Sequence, residues 1–388
     1  YALVTFLAAP LVAAFFNEPR LVPIIRVLSV NFLFIAAFTL PQSLLVRELD
    51  FRRKARVEVI GTIAGAGVSL MLALLGYGVW ALVGSIFTVN LLKAVLFQWT
   101  RPVPVGLPRR FRALQPLVGF GLVLSLDRIL FFAYGQVDIA IGGRVLGTEA
   151  IGLYAVALSL AAMPMEKVIP TITQVSFAAF SRIQEDRERV NRNVLRAAQV
   201  VSLGAYPLYF GLVATAPHLI PWLLGARWSE AVLPLQIVCL ILPLKALAAL
   251  LSPALFGIGR PGVNVVNMAF SAVTMAAAFL VGVRYGVIGL CLAWLFVYPG
   301  VFAVTTVRAL RALRLPPREL LRVIVFPALV SSGMLGLVFL LDQLLRPHLA
   351  RLPLLLVLVG AGTSFYCTIV WVWRRQSIEE LRLAFRAS

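Results

Sequence analysis

Long apolar segments and short polar gaps alternate along the whole chain. Twelve predominantly apolar stretches lie at about 1–16, 21–46, 57–76, 78–98, 114–136, 151–172, 197–215, 231–254, 263–282, 286–306, 323–342 and 353–373. Most are close to the ~20 residues that a helix needs to cross the hydrocarbon core of a bilayer. Within lipid the backbone must satisfy its own hydrogen bonds, so apolar runs of this length joined by short polar turns predict a bundle of helices. The pattern identifies an all-α polytopic membrane protein.

Charge sharpens that picture. The 388 residues carry 35 Lys and Arg against 16 Asp and Glu, a net charge of +19, which in a soluble protein would suggest nucleic acid as a partner. The placement of the cations says otherwise. Gaps such as Arg47–Arg56, Arg101–Arg112, Arg182–Arg196 and Arg308–Arg322, together with Arg260 and the tail from Arg374, hold 24 of them. The alternate gaps hold six, namely Arg20, Arg144, Arg227, Arg284, Arg346 and Arg351. Strict alternation of this kind is the positive-inside pattern; it assigns the rich gaps to the cytoplasm and makes nucleic-acid binding unnecessary. The composition agrees, with 61% hydrophobic and 13% charged residues where soluble domains carry roughly 25% charge.

An internal repeat organises the spans. Pro23-Ile-Ile-Arg followed by Leu40-Pro41 has a counterpart in Pro234-Leu-Gln-Ile followed by Ser252-Pro253, at offsets of 211 and 212. Tyr77-Gly78-Val79 returns as Tyr285-Gly286-Val287, at an offset of 208. Six helices separate the copies, so both have the same orientation, and a parallel repeat predicts two lobes related by an axis along the membrane normal, as in alternating-access transporters. The expected organisation is an N-lobe over 1–112, a six-helix C-lobe over 113–312, and two extra helices with a cytoplasmic tail over 313–388. The C-lobe has two helices, about 114–172, ahead of the part that matches residue 1. The repeat therefore predicts two further N-terminal helices and a complete protein of fourteen spans with both termini cytoplasmic.

Charges inside spans are costly unless paired or wet, which makes each one a candidate for function. Asp127 and Arg128 are adjacent in the fifth span, about 100° apart on a helix, and predict partners on neighbouring helices. Arg26 and Lys245 lie in equivalent helices of the two repeats; together with Arg128 they would line a cavity with positive charge. Snorkelling to an interface is the plainer reading of Lys93 and Lys167, and it competes for Arg26. Glu58 is expected at a helix start, Ser181 as the cap of a cytoplasmic surface helix, and Asp138 with Arg144 as a local salt bridge closing a turn before Gly147. Cys239, Cys291 and Cys367 all fall in spans and suggest no disulfide framework. His218 and His348 stand alone in the sparse gaps, so no metal or other cofactor is called for. Phosphate-loop, zinc-protease and serine-elbow motifs are absent from the sequence, which argues against ATP hydrolysis and those protease and hydrolase chemistries.

Residues 118–190 carry a more specific signal. Phe120-Gly-Leu-Val-Leu-Ser, Asp127, Asp138, Gly143-Arg-Val-Leu-Gly-Thr-Glu-Ala-Ile-Gly-Leu-Tyr and Ser176-Phe-Ala-Ala-Phe-Ser-Arg-Ile-Gln-Glu-Asp resemble bacterial polysaccharide flippases. These form the polysaccharide-transporter branch of the multidrug/oligosaccharidyl-lipid/polysaccharide exporter superfamily. The resemblance implies two six-helix lobes plus two C-terminal helices in the bacterial inner membrane. It also implies a substrate, an oligosaccharide repeat unit on undecaprenyl pyrophosphate that moves from the inner to the outer leaflet. Arg128, Lys245 and Arg26 would then face the pyrophosphate or acidic sugars, and Asp127 would pair with Arg128 or carry a coupling cation. Implied partners are the lipid-linked oligosaccharide, membrane lipid, and polysaccharide polymerase and export machinery. The rival readings are a cation-coupled multidrug antiporter of the same superfamily, which would favour buried acids over buried bases, and a membrane polymerase or ligase, which would carry a large outer loop.

Overall fold

The computed structural model describes residues 1–48, 50–103, 115–182 and 187–373; the side chains of 115–128, 166–182, 187 and 373 lie outside the described set. The described chain is helical in the order α1 (Ala2–Phe16), α2 (Leu21–Ser29), α3 (Asn31–Arg47), α4 (Phe51–Leu74), α5 (Val79–Thr100), α6 (Gln115–Arg182), α7 (Arg187–Leu223), α8 (Val232–Gly257), α9 (Pro261–Gly282), α10 (Gly286–Leu313), α11 (Pro317–Leu345) and α12 (Arg351–Trp373). Among the described residues, nine helical segments are long and apolar enough to cross a membrane. Leu21–Arg47 contains α2 and α3 and matches one predicted stretch, while two others each match two. Ile129–Met165 changes direction at Gly147, and Pro261–Leu313 contains α9 and α10, which pack on each other. With the shorter apolar helix Ala2–Phe16, these segments account for all twelve predicted stretches. The protein is an all-α, multi-span membrane protein.

Local chemistry explains the breaks. Asn17, at φ 57, ends α1 in the left-handed conformation that an asparagine tolerates. Asp50 caps α4 by accepting a hydrogen bond from the Arg53 amide at 3.0 Å. Glu58 is therefore not at a helix start, as the sequence had suggested. It lies two turns inside α4, where it accepts from Gln42 Nε2 at 3.2 Å and sits 3.8 Å from Lys54 Nζ. Gly147 has φ 82 and ψ 174, and joins the two limbs of α6 at the predicted turn. The expected separate surface helix capped by Ser181 is not seen: α6 runs on through Ser181 to Arg182, and α7 begins at Arg187. Residues 183–186 lie outside the described set.

The chain divides into two compact units, Tyr1–Val118 and Gly119–Ser388. In the first, α5 packs on α3 and α4; in the second, α10 packs on α8 and α9. These are the pairings expected of a repeat whose anchors map α3 to α8 and α5 to α10. Gly78 and Gly286 match in detail, both opening the later helix with positive φ, 53 and 71. The copies differ where α2 and α3 meet at Val30, because α8 runs unbroken through the equivalent region.

The first unit has a small core around Leu45, Val57 and Phe97. The second has an extensive one, in which α6, α7, α8, α9 and α10 bury Tyr154, Tyr209, Leu235, Met275, Phe279 and Leu290. α11 and α12 lie on α7 through a separate cluster that includes Met334, Val338, Leu354 and Leu358. Tyr366 of α12 ties that layer down by donating to the Leu203 carbonyl at 2.9 Å.

Candidate functional site

Buried polar groups in the second unit converge on one carboxylate. Asp138, on the first limb of α6, is 1% exposed. Such a group is expensive in an apolar interior unless donors surround it. Its Oδ1 accepts from the Ile139 amide at 2.8 Å, and its Oδ2 from the Tyr154 hydroxyl at 2.7 Å. The bend at Gly147 brings Tyr154 to it, since the two residues sit on opposite limbs of the same helix. From α10, Trp294 Nε1 donates to the same Oδ2 at 3.2 Å and to the Tyr154 oxygen at 3.0 Å.

Lys245 completes the group from α8. Its ammonium lies 3.9 Å from the centroid of the Trp294 ring. An aromatic ring is negative on its face and positive at its edge. Trp294 is thus oriented to offer its face to a cation and its N–H edge to an anion, linking Lys245 to Asp138. Tyr134, Phe279 and Tyr298 fix the indole through edge-on ring contacts at 6.1, 5.3 and 5.5 Å. A cation over an aromatic face gains most when desolvated, and this one is half-buried in a span. The arrangement holds one positive and one negative charge inside a lobe without direct pairing through a shared hydrogen bond.

The residues proposed from sequence fall in different places. Lys245 joins this network through the face of Trp294. Arg26 belongs to the first unit, on the last turn of α2, exposed, with its guanidinium 5.0 Å from the centroid of the Phe6 ring on α1. Asp127 and Arg128 are helical residues of α6 whose side chains lie outside the described set. Asp138 was expected in a local salt bridge and is instead a fully buried acceptor for Tyr154 and Trp294. Its partner across 156 positions leaves no periodic trace in a sequence. The available signal was the polar residue itself, set among Val137, Ile139 and Ile141.

His218 was likewise read as a lone loop residue. It is in α7, buried, with Nε2 2.6 Å from Asp342 Oδ1 on α11, while Arg346 Nη2 donates to Asp342 Oδ2 at 2.9 Å. Cys239 and Cys291 are buried and Cys367 is exposed, all three as free thiols. Among the described residues, no group of three or more His, Cys, Asp or Glu is placed to hold a metal ion.

Residues 1–233 match the family described as polysaccharide biosynthesis protein. The chain belongs to that family. Within the wider group of curated polysaccharide biosynthesis proteins, it is 27% identical over 302 residues to the lipopolysaccharide biosynthesis protein WzxC of Escherichia coli, covering 75% of this chain and 60% of that protein. It is 29% identical over 290 residues to the succinoglycan biosynthesis transport protein ExoT of Rhizobium meliloti, covering 74% and 57%. The chain thus spans somewhat over half the length of these curated relatives. In fold it is similar to the lipid II flippase MurJ in an inward closed conformation, with a TM-score of 0.74, 16% identity, and coverage of 97% of this chain and 81% of that one. The polysaccharide biosynthesis family and this transporter fold agree with the resemblance carried by residues 118–190.

Proposed function

We infer that the whole protein is a flippase. It moves undecaprenyl-pyrophosphate-linked oligosaccharide repeat units from the inner to the outer leaflet of the bacterial inner membrane by alternating access, for export of a surface polysaccharide. Family membership carries this reading, supported by the similarity in fold to a lipid flippase and by the relative ExoT, a succinoglycan biosynthesis transport protein. The chemistry is compatible. A pyrophosphate cannot cross hydrocarbon unaided, and cations within the spans offset its charge through charge-assisted hydrogen bonds. In this reading Lys245, Arg128 and Arg26 contribute to a cationic cavity for the pyrophosphate or acidic sugars, and Asp127 pairs with Arg128 or carries a coupling cation. Residues 1–112, 113–312 and 313–388 serve as N-lobe, C-lobe and C-terminal extension. Both termini of the full protein face the cytoplasm, where the positive-inside pattern puts the basic gaps. Polymerase and export machinery take the flipped unit onward.

The test is complementation of a cell lacking its own flippase, using the full-length gene. Wild type is expected to restore surface polymer and clear the accumulated lipid-linked unit. Lys245→Ala and Arg128→Ala, at equal expression, are expected to do neither. Normal function in both variants would make those cations structural. Failure of wild type across matched pathways would remove the flippase reading itself.

A further inference from the structure

The ammonium of Lys245 already has a seat, and the seat is wired to an acid. Its position on the face of Trp294, whose edge donates to Asp138, gives the lobe an internal cation and an internal anion at the face and the N–H edge of one indole. Asp138 and Lys245 share Trp294, one at its N–H edge and the other on its face, and the described hydrogen-bond partners of Asp138 are all neutral groups, the Ile139 amide, Tyr154 and Trp294. Lys245 carries its ammonium on a flexible four-carbon stem. It can therefore leave the ring while Asp138, locked by its donors at 1% exposure, cannot follow.

Resting on the flippase reading, we propose that Asp138 is a positioning residue that competes with the substrate's phosphate for Lys245. With the site free of phosphate, Lys245 rests on Trp294 and offsets the Asp138 charge. When a pyrophosphate group arrives, the ammonium swings from the indole to a phosphate oxygen, and Asp138 keeps its charge against the Ile139, Tyr154 and Trp294 donors alone. The uncompensated carboxylate then draws Lys245 back, which lowers affinity for phosphate and favours release. Asp138 is thus set to limit binding and sustain turnover without touching the substrate.

The test uses full-length protein in lipid nanodiscs, titrated with undecaprenyl pyrophosphate and, as the uncharged control, undecaprenol. Asp138→Asn removes the competing charge and keeps the shape. It is expected to bind undecaprenyl pyrophosphate about tenfold more tightly, within the range of coupled neighbouring residues, and to restore less surface polymer in the complementation assay. Asp138→Glu keeps the charge and is expected to return the affinity towards wild type. In a Lys245→Met background, where binding is already weak, Asp138→Asn is expected to change nothing. A merely structural aspartate would give weaker binding on mutation, or the same tightening with Lys245 absent, and either result overturns the proposal. Should Asp138→Asn fail to fold, Tyr154→Phe takes one donor from the carboxylate and increases its demand for Lys245. That variant is expected to bind more weakly, and tighter or unchanged binding overturns the proposal. Wild type that binds undecaprenyl pyrophosphate no better than undecaprenol removes the flippase reading together with this inference. Wild type that discriminates, with no tightening in Asp138→Asn, removes this inference alone.

Discussion

His218 on α7 and Asp342 on α11 meet at 2.6 Å, both buried, although 124 residues separate them. Arg346, one turn beyond Asp342, binds the other carboxylate oxygen from the surface. This group fastens the C-terminal pair of helices to the end of α7, beside the apolar contacts of Met334, Val338, Leu354 and Leu358. Removing one partner of a buried hydrogen bond leaves the other unsatisfied, at a cost of about 1–3 kcal/mol. Asp342→Ala is therefore expected to lower the detergent-solubilised Tm by several degrees. His218→Gln, which keeps an N–H donor, is expected to lose less. Equal Tm for wild type and Asp342→Ala would show that apolar packing alone holds α11.

Tyr154→Phe removes one hydrogen bond to a buried carboxylate and leaves the ring in place. Hydrogen bonds to charged groups contribute roughly 1.5–3 kcal/mol, so a measurable drop in Tm is expected in the unliganded protein. Trp294 still donates to Asp138 in this variant, so the fold should survive, as near-UV circular dichroism and gel filtration would report.

Gly282 and Gly289 bring the end of α9 and the start of α10 into backbone contact; a Cβ built at either would run into the other's carbonyl group. Gly289→Val is expected to prevent this approach and greatly reduce the yield of folded protein. Gly300→Ala, on the same helix with open space around it, is the control. Similar yields of monodisperse protein from both would refute the packing argument.

In the first unit Asn90 Nδ2 donates to Asn31 Oδ1 at 3.1 Å, linking α5 to α3. Interhelical hydrogen bonds of this kind in membrane proteins average about 0.6 kcal/mol. Asn90→Ala should therefore shift Tm only slightly, much less than Asp342→Ala.

Topology is open to direct measurement. After Cys367, the one exposed thiol among the described cysteines, is replaced by Ser, single cysteines at Arg53 and Arg227 are expected to react from opposite sides of the membrane. A membrane-impermeant maleimide applied to intact spheroplasts should label Arg227→Cys and spare Arg53→Cys. The reverse result would invert the orientation taken from the basic gaps.

Much of this architecture is legible in the sequence. Span number, the turn at Gly147 and the Tyr-Gly-Val repeat all depend on residues close in sequence, where hydropathy, glycine φ and proline placement act locally. Helix starts were less so: Glu58 looked like the acid of a first turn, but Asp50 caps α4, because an extension of polar residues continues the helix beyond its apolar span. The interior charges were legible as exceptions and illegible as partners. Lys245 could be singled out because a cation in a span needs an explanation, but the indole beneath it could not be found.

The sequence by itself determined that the chain crosses a membrane repeatedly and in what repeated order its apolar segments follow, since lipid imposes a length and a polarity on each segment independently of the others. Only the tertiary structure decided that Asp138 meets Tyr154, Trp294 and, through that indole, Lys245, and that His218 meets Asp342. Those contacts join separate helices or the two limbs of one bent helix, and the register and rotation of packed helices depend on the sum of many small side-chain contacts. No local pattern encodes that sum, so a buried acid and the donors that satisfy it can lie 156 residues apart.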